Sequence, residues 1–191
     1  MEHKPFFSFK SKLDISEYSQ GYKIYDLTNG NSKGWKWKSS MFFFLALLMI
    51  LILSVNEFRI ERFPEIFIIF PVCVYLCIHY VCILPQKAKA EGKKIFDTSY
   101  LLSQESSFEF YKEYFTMSNQ YEFLKRYYSE ITDCIETDDI FLLGGGMQNA
   151  VIVISKSCID EKKCSSVSRF FQNEMVTQYK RTKPLKKVKK Q

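Results

Sequence analysis

The sequence predicts an integral membrane α-helical hairpin joined to an α+β cytoplasmic domain. Two apolar runs, residues 41–55 and 66–84, contain no Asp, Glu, Lys or Arg and lie ten residues apart. After them come short segments of period two with aromatic faces, and then a helical stripe near the carboxy terminus. The 191 residues leave room for one hairpin and one small domain.

Residues 1–34 read as a cytoplasmic strand and helix. Phe7, Phe9 and Leu13 alternate with Ser8, Lys10 and Lys12 across residues 6–13. Asp14 or Ser16 then caps a helix on which Tyr18, Tyr22 and Tyr25 share one side. This strand is expected to pair with the carboxy-terminal sheet, so that the hairpin interrupts one split domain. A polar break at residues 28–34 precedes the hairpin, residues 35–85.

A helix crossing about 30 Å of hydrocarbon needs roughly 20 apolar residues. The second run rises about 28 Å on its own. The first reaches that length with the interfacial belt of Trp35, Trp37 and Phe58, giving spans at 38–57 and 65–84. Lys23, Lys33, Lys36 and Lys38 precede the first span and Lys87, Lys89, Lys93 and Lys94 follow the second, whereas the connecting loop has only Arg59 and Arg62. That bias predicts a multi-pass protein of the plasma (inner) membrane with both termini cytoplasmic. No cleavable signal peptide is expected, because about forty mostly polar residues come first. Pro71 is a candidate kink, and Cys73 and Cys77, one turn apart, suit close packing on the first span.

Residues 85–94 form a basic exit from the second span, and 96–102 read either as continuing helix or as a first strand. The domain at 95–181 then reads as an antiparallel meander. Its strands are 108–117, 121–128 (Tyr121, Phe123 and Tyr127 on one face), 131–136, 140–143 and 150–154. Turns fall at 118–120 and 137–139, and a loop at 144–149. A helix over 160–180 carries Val167, Phe170, Phe171, Met175 and Tyr179 on one stripe, closing the sheet. A polybasic tail follows, with residues 182–191 outside the domain.

Little in the chain suggests catalysis. No CxxC spacing occurs among Cys73, Cys77, Cys82, Cys134, Cys158 and Cys164, and a reducing cytoplasm disfavours disulfides. There are two histidines, His3 and His79, and no Ser-His-Asp or Cys-His arrangement follows from them. His79 is an intramembrane polar candidate, since an ionisable group in a span is a functional candidate by default. Gly144, Gly145 and Gly146 lack a phosphate-loop context and suit a turn. Asp133, Glu136, Asp138 and Asp139 read as solvated turn charge, with a cation or basic-partner site as the alternative. No cofactor, no metal and no enzymatic activity are expected.

The net charge is +6, and Lys180, Arg181, Lys183, Lys186, Lys187, Lys189 and Lys190 supply seven positive charges without an acid among them. Such a segment at a cytoplasmic leaflet gains about 1 kcal/mol per basic residue from anionic lipid. Anionic lipid headgroups are therefore the expected partner of the tail. Nucleic acid is the least favoured, since no recognition helix or interleaved aromatics accompany the charge.

Three segments carry a family resemblance. Tyr128-Ser129-Glu130-Ile131 is similar to an aromatic-led central strand. The run from Glu136 to Leu143 is similar to an acidic turn with an aromatic-rich strand. The run from Ala150 to Lys156 is similar to a strand ending in Pro-Lys, with Ser155 here in place of proline. With two preceding spans, this resembles the YcxB-like family of bacterial membrane proteins over residues 95–180. The resemblance implies a pleckstrin-homology-like (PH-like) domain, a curved antiparallel sheet closed by a carboxy-terminal helix, and no known reaction. The expected function is a non-enzymatic membrane-anchored binding or adaptor module, with an unidentified membrane or cytoplasmic protein as partner. The alternatives are an immunity protein against a secreted toxin and an accessory subunit of a transporter or membrane enzyme.

Overall fold

A computed structural model describes residues 4–30, 32–55, 65–145 and 151–182, except the side chain of Lys162. The chain forms two compact units, one of residues 1–25 with 90–191 and one of residues 26–89. The first 25 residues thus share a unit with the carboxy-terminal half, in keeping with a split domain.

The second unit is the hairpin. Helix α2 spans Trp35–Val55 and α3 spans Ile66–Ile78. Small groups bring them together: Ser39 and Cys73 are buried, and the Cys77 thiol donates to the Ser39 carbonyl at 3.3 Å. Phe42 stacks on Tyr80 with centroids 6.0 Å apart. Pro71 sits inside α3 without ending it. A π-helical turn, His79–Ile83, leads into α4, Leu84–Thr98. The basic residues 85–94 are helical, and helix runs unbroken from Ile66 to Thr98, so residues 96–98 continue it rather than start a strand. Pro85 lacks an N–H, and its ring crowds the carbonyl four residues back. The wider turn, in which the Leu84 N–H reaches the His79 carbonyl, makes room for it.

The first unit begins with β1, Phe7–Ser11, followed by α1, Ile15–Thr28, whose residues up to Tyr25 belong here. Asp14 accepts from the Ser16 N–H at 3.3 Å and caps α1. After α4 come a short helix α5, Tyr100–Ser103, and strands β2 (Ser106–Phe110), β3 (Tyr114–Ser118), β4 (Phe123–Tyr127), β5 (Ile131–Glu136), β6 (Ile140–Gly145) and β7 (Ile152–Ser155). Helix α6 (Glu161–Glu174) and β8 (Tyr179–Arg181) complete it.

These strands form two four-stranded sheets rather than one, β1-β2-β3-β4 and β7-β6-β5-β8. The segment expected as one strand at 108–117 is a hairpin in which the Tyr111 N–H bonds the Tyr114 carbonyl at 2.9 Å. No Gly, Pro, Asn or Asp marks that turn. The turn at 119–122 is marked: Asn119 Oδ1 accepts from the Tyr121 and Glu122 N–H groups at 2.9 and 2.8 Å. Helix α6 stops at Glu174 instead of Lys180. The β-branched Val176 and Thr177 follow it, and β8 docks parallel to β5 as Cys134↔Tyr179 and Glu136↔Arg181. The loop expected at 144–149 lies mostly outside the described residues; Gly144 and Gly145 close β6. At φ +117, Gly145 occupies a conformation only glycine adopts freely.

In β2 and β4 burial alternates, so one face is packed and the other more open, whereas Phe115, Thr116 and Met117 of β3 are all buried. Strands β6 and β7 are buried throughout, which explains their unbroken apolar sequence. Helix α1 covers one side of them. Gly21 lies so close to Leu142 and Val153 that an added Cβ would come within 2.9 Å, and buried Tyr18 donates to the Val151 carbonyl at 3.1 Å. Helix α6 covers the other. Phe171, fully buried, meets Phe110 of the first sheet at 5.6 Å and Phe141 of the second at 5.2 Å, both edge-on.

β1 pairs antiparallel with β2 in the register Phe9↔Phe108, and the Phe9 ring stacks on Phe108 and Phe110. Each aromatic pair contributes about 0.5–1.5 kcal/mol beyond its buried area. Deleting residues 1–13 is expected to expose the β2 edge and make residues 100–145 sensitive to trypsin; unchanged resistance would contradict the pairing.

Candidate functional site

Glu136, at the end of β5, was expected to be solvated with its acidic neighbours, and the structure corrects this. Its side chain is 4% exposed and collects three donors. Lys156 Nζ reaches Oε1 at 2.7 Å, the Ser168 hydroxyl reaches Oε2 at 2.6 Å, and the Tyr179 hydroxyl also donates to Oε2. Lys156 also lies 4.5 Å from the Phe141 ring centroid. Burial pushes the Glu136 carboxyl up, but the hydrogen bonds from Lys156, Ser168 and Tyr179, with the charge of Lys156, outweigh it and hold the group below the usual carboxylate range. Tyr179 moves the opposite way, raised first by burial and then by its bond to Glu136. With both carboxylate oxygens occupied, the cluster ties β5, α6, β8 and the turn after β7 together. Asp138 and Asp139 are exposed in the β5–β6 turn.

The basic residues expected to bind anionic lipid separate into two groups. Lys180 and Arg181 are not tail: they lie in β8, where Lys180 Nζ bonds Asp133 at 3.3 Å and Arg181 registers with Glu136 while remaining exposed. Lys183, Lys186, Lys187, Lys189 and Lys190 lie outside the described residues. His79 opens the π-helical turn, half-buried, 6.2 Å from the Tyr75 ring and 5.4 Å from that of Tyr80. Among the described residues no group of His, Cys, Asp and Glu side chains gathers as metal ligands would. Cys134 is fully buried, and burial first, then the nearby Glu136 charge, pushes its thiol up to about 12.

Sequence reasoning missed an outward aromatic surface. Phe123 and Tyr127 do share a face of β4 beyond Tyr121, but it is the open face, with the three residues 68%, 41% and 62% exposed. Arg126 points inward, its Nη1 donating to the Gly145 carbonyl at 2.7 Å. Beside Tyr127, Tyr114 meets it edge-on at 5.7 Å and stacks on Tyr111 at 4.8 Å. Lys125 Nζ lies 3.8 Å from the Tyr114 centroid and 4.9 Å from that of Tyr127, an exposed cation held on an aromatic shelf. The alternation of Phe123, Lys125 and Tyr127 with Leu124 and Arg126 carried the period of the strand but not which side faces water.

Compared with known proteins, the chain matches no family model, no curated protein and no solved structure.

Proposed function

We propose that the chain is a membrane-anchored binding module of the YcxB-like kind, presenting a PH-like domain at the cytoplasmic face of the plasma membrane. The observation that carries this reading is the exposure of the two long helices. Each is long and apolar enough to cross a bilayer, and only 6% of its most apolar stretch is buried. The core helices of a soluble protein would be covered. Phe44, Leu51, Phe67 and Ile68 are among the exposed side chains, a surface suited to lipid rather than water.

The split of the first unit supports the topology. Residues 1–25 fold with residues 90–191, so both ends of the hairpin belong on one side, and two crossings satisfy that where one would not. The lysines flanking the hairpin favour the cytoplasm for that side. The PH-like reading draws support from two sheets around a shared core with a single carboxy-terminal helix touching both. Residues 183–191 supply five lysines for anionic headgroups.

Tagged full-length protein, crosslinked in its own cells and purified, tests the reading. Retention in the membrane fraction after alkaline washing, with one dominant protein or anionic lipid captured, is expected. Release by the alkaline wash would overturn the anchor.

A further inference from the structure

Exposed aromatic and cationic side chains of the first sheet gather at one end of its outer face. Within this unit α1 reaches Tyr25 against Gly144, whose added Cβ would come within 2.0 Å of the Tyr25 ring. Gly144 and Gly145 end β6, and Gly145 takes Arg126 from β4. The next residue is Tyr127, paired with Tyr114, and the Tyr128 N–H bonds the carbonyl of Glu113 in the adjoining turn at 3.0 Å. Tyr111, Lys112, Tyr114, Lys125 and Tyr127 therefore gather at one end of the first sheet. Tyr121 lies in the turn at the other end of β3.

We propose that this aromatic and cationic cluster is a docking surface that rests in the headgroup layer of a bilayer containing anionic lipid. The inference rests on the membrane reading above. Tyrosine rings favour the boundary between hydrocarbon and water, with the ring in one phase and the hydroxyl in the other. Lysine extends its ammonium towards phosphate from an apolar stem. Protein–protein interfaces, by contrast, are depleted in lysine. Lys125 is presented by Tyr114 and Tyr127, and Lys112 is exposed at the tip of the β2–β3 turn. Of the acids close by, Glu109 accepts the Tyr111 hydroxyl at 2.7 Å, exposed Glu113 adjoins Lys112, exposed Glu130 lies beside Gly145, and exposed Glu174 acts on Tyr128. Tethering by the hairpin keeps the bilayer at a high effective concentration, so a shallow surface suffices.

Hydroxyl-radical footprinting of the full-length protein tests this, because it reads the exposure of each tyrosine side chain. The protein is compared in detergent and in nanodiscs containing phosphatidylserine, with Tyr121 as the internal reference. Tyr114 and Tyr127 are expected to label several-fold more slowly in the nanodiscs. The double variant Lys112→Glu/Lys125→Glu, both exposed positions, should recover the detergent rate with an unchanged circular dichroism spectrum. Equal labelling of Tyr127 in both settings, in protein that floats with liposomes, would overturn this surface and leave the anchor intact. Protection found in native membranes but not in lipid nanodiscs would also overturn it, assigning the face to a protein. Failure to float would overturn the anchor itself.

Discussion

Replacing Phe171 with alanine is expected to destabilise the strand-rich unit by about 3–5 kcal/mol, the cost of emptying a buried phenylalanine site. The ring is fully buried and touches Phe110 and Phe141, one from each sheet, so its loss opens a cavity at the seam between them. Neighbouring Phe170 packs against Tyr128 at 5.6 Å and against Phe171 at 6.0 Å, so it borders the same space. Denaturant unfolding of the full-length protein in detergent, followed by near-ultraviolet circular dichroism, should show a lower midpoint with an unchanged slope. Phe123→Ala, at a 68% exposed position, should stay within about 0.5 kcal/mol of the parent. Equal effects from the two variants would mean that α6 does not join the sheets.

Glu136→Ala should cost about as much, roughly 3–5 kcal/mol, by a different route. The Lys156 side chain is 14% exposed and its ammonium would lose its counter-charge, while Ser168 and Tyr179 would lose their acceptor. Glu136→Gln keeps the shape and removes the charge, so about 1–3 kcal/mol is expected. The pH dependence has a definite sign. The folded carboxyl lies below its unfolded value of about 4.3, so its contribution is complete above that pH and is lost as pH falls through the folded value. Midpoints measured between neutral pH and about pH 3 should therefore converge for parent and Glu136→Gln at the acid end. A constant gap across that range would show that Glu136 is not held as the anion.

The hairpin was legible because charge-free length is a strong signal, and β5 and β6 because a marked acidic turn separates them. The β2–β3 turn was not, since Tyr111, Lys112 and Glu113 carry no turn chemistry and the reversal is set by pairing Phe110 with Phe115. Tyr179 continues the helical spacing from Phe171 and Met175, and only the free edge of β5, distant in sequence, makes it a strand. Glu136 reads like Asp138 and Asp139, yet three donors drawn from residues 156–179 bury it. Local pattern gives the period of each segment; which face is covered depends on partners far along the chain.

The pairing of β1 with β2 sets an order of events during synthesis. Phe9 leaves the ribosome roughly a hundred residues before Phe108, a wait of about 5–20 s at ordinary elongation rates. During that time the two long apolar helices are made, while Phe7 and Phe9 sit on a nascent strand with no partner. The first unit can close only after the helices between its two parts have been synthesised, so an interrupted chain would leave an unpaired, phenylalanine-rich strand as a signal for chaperones and proteases.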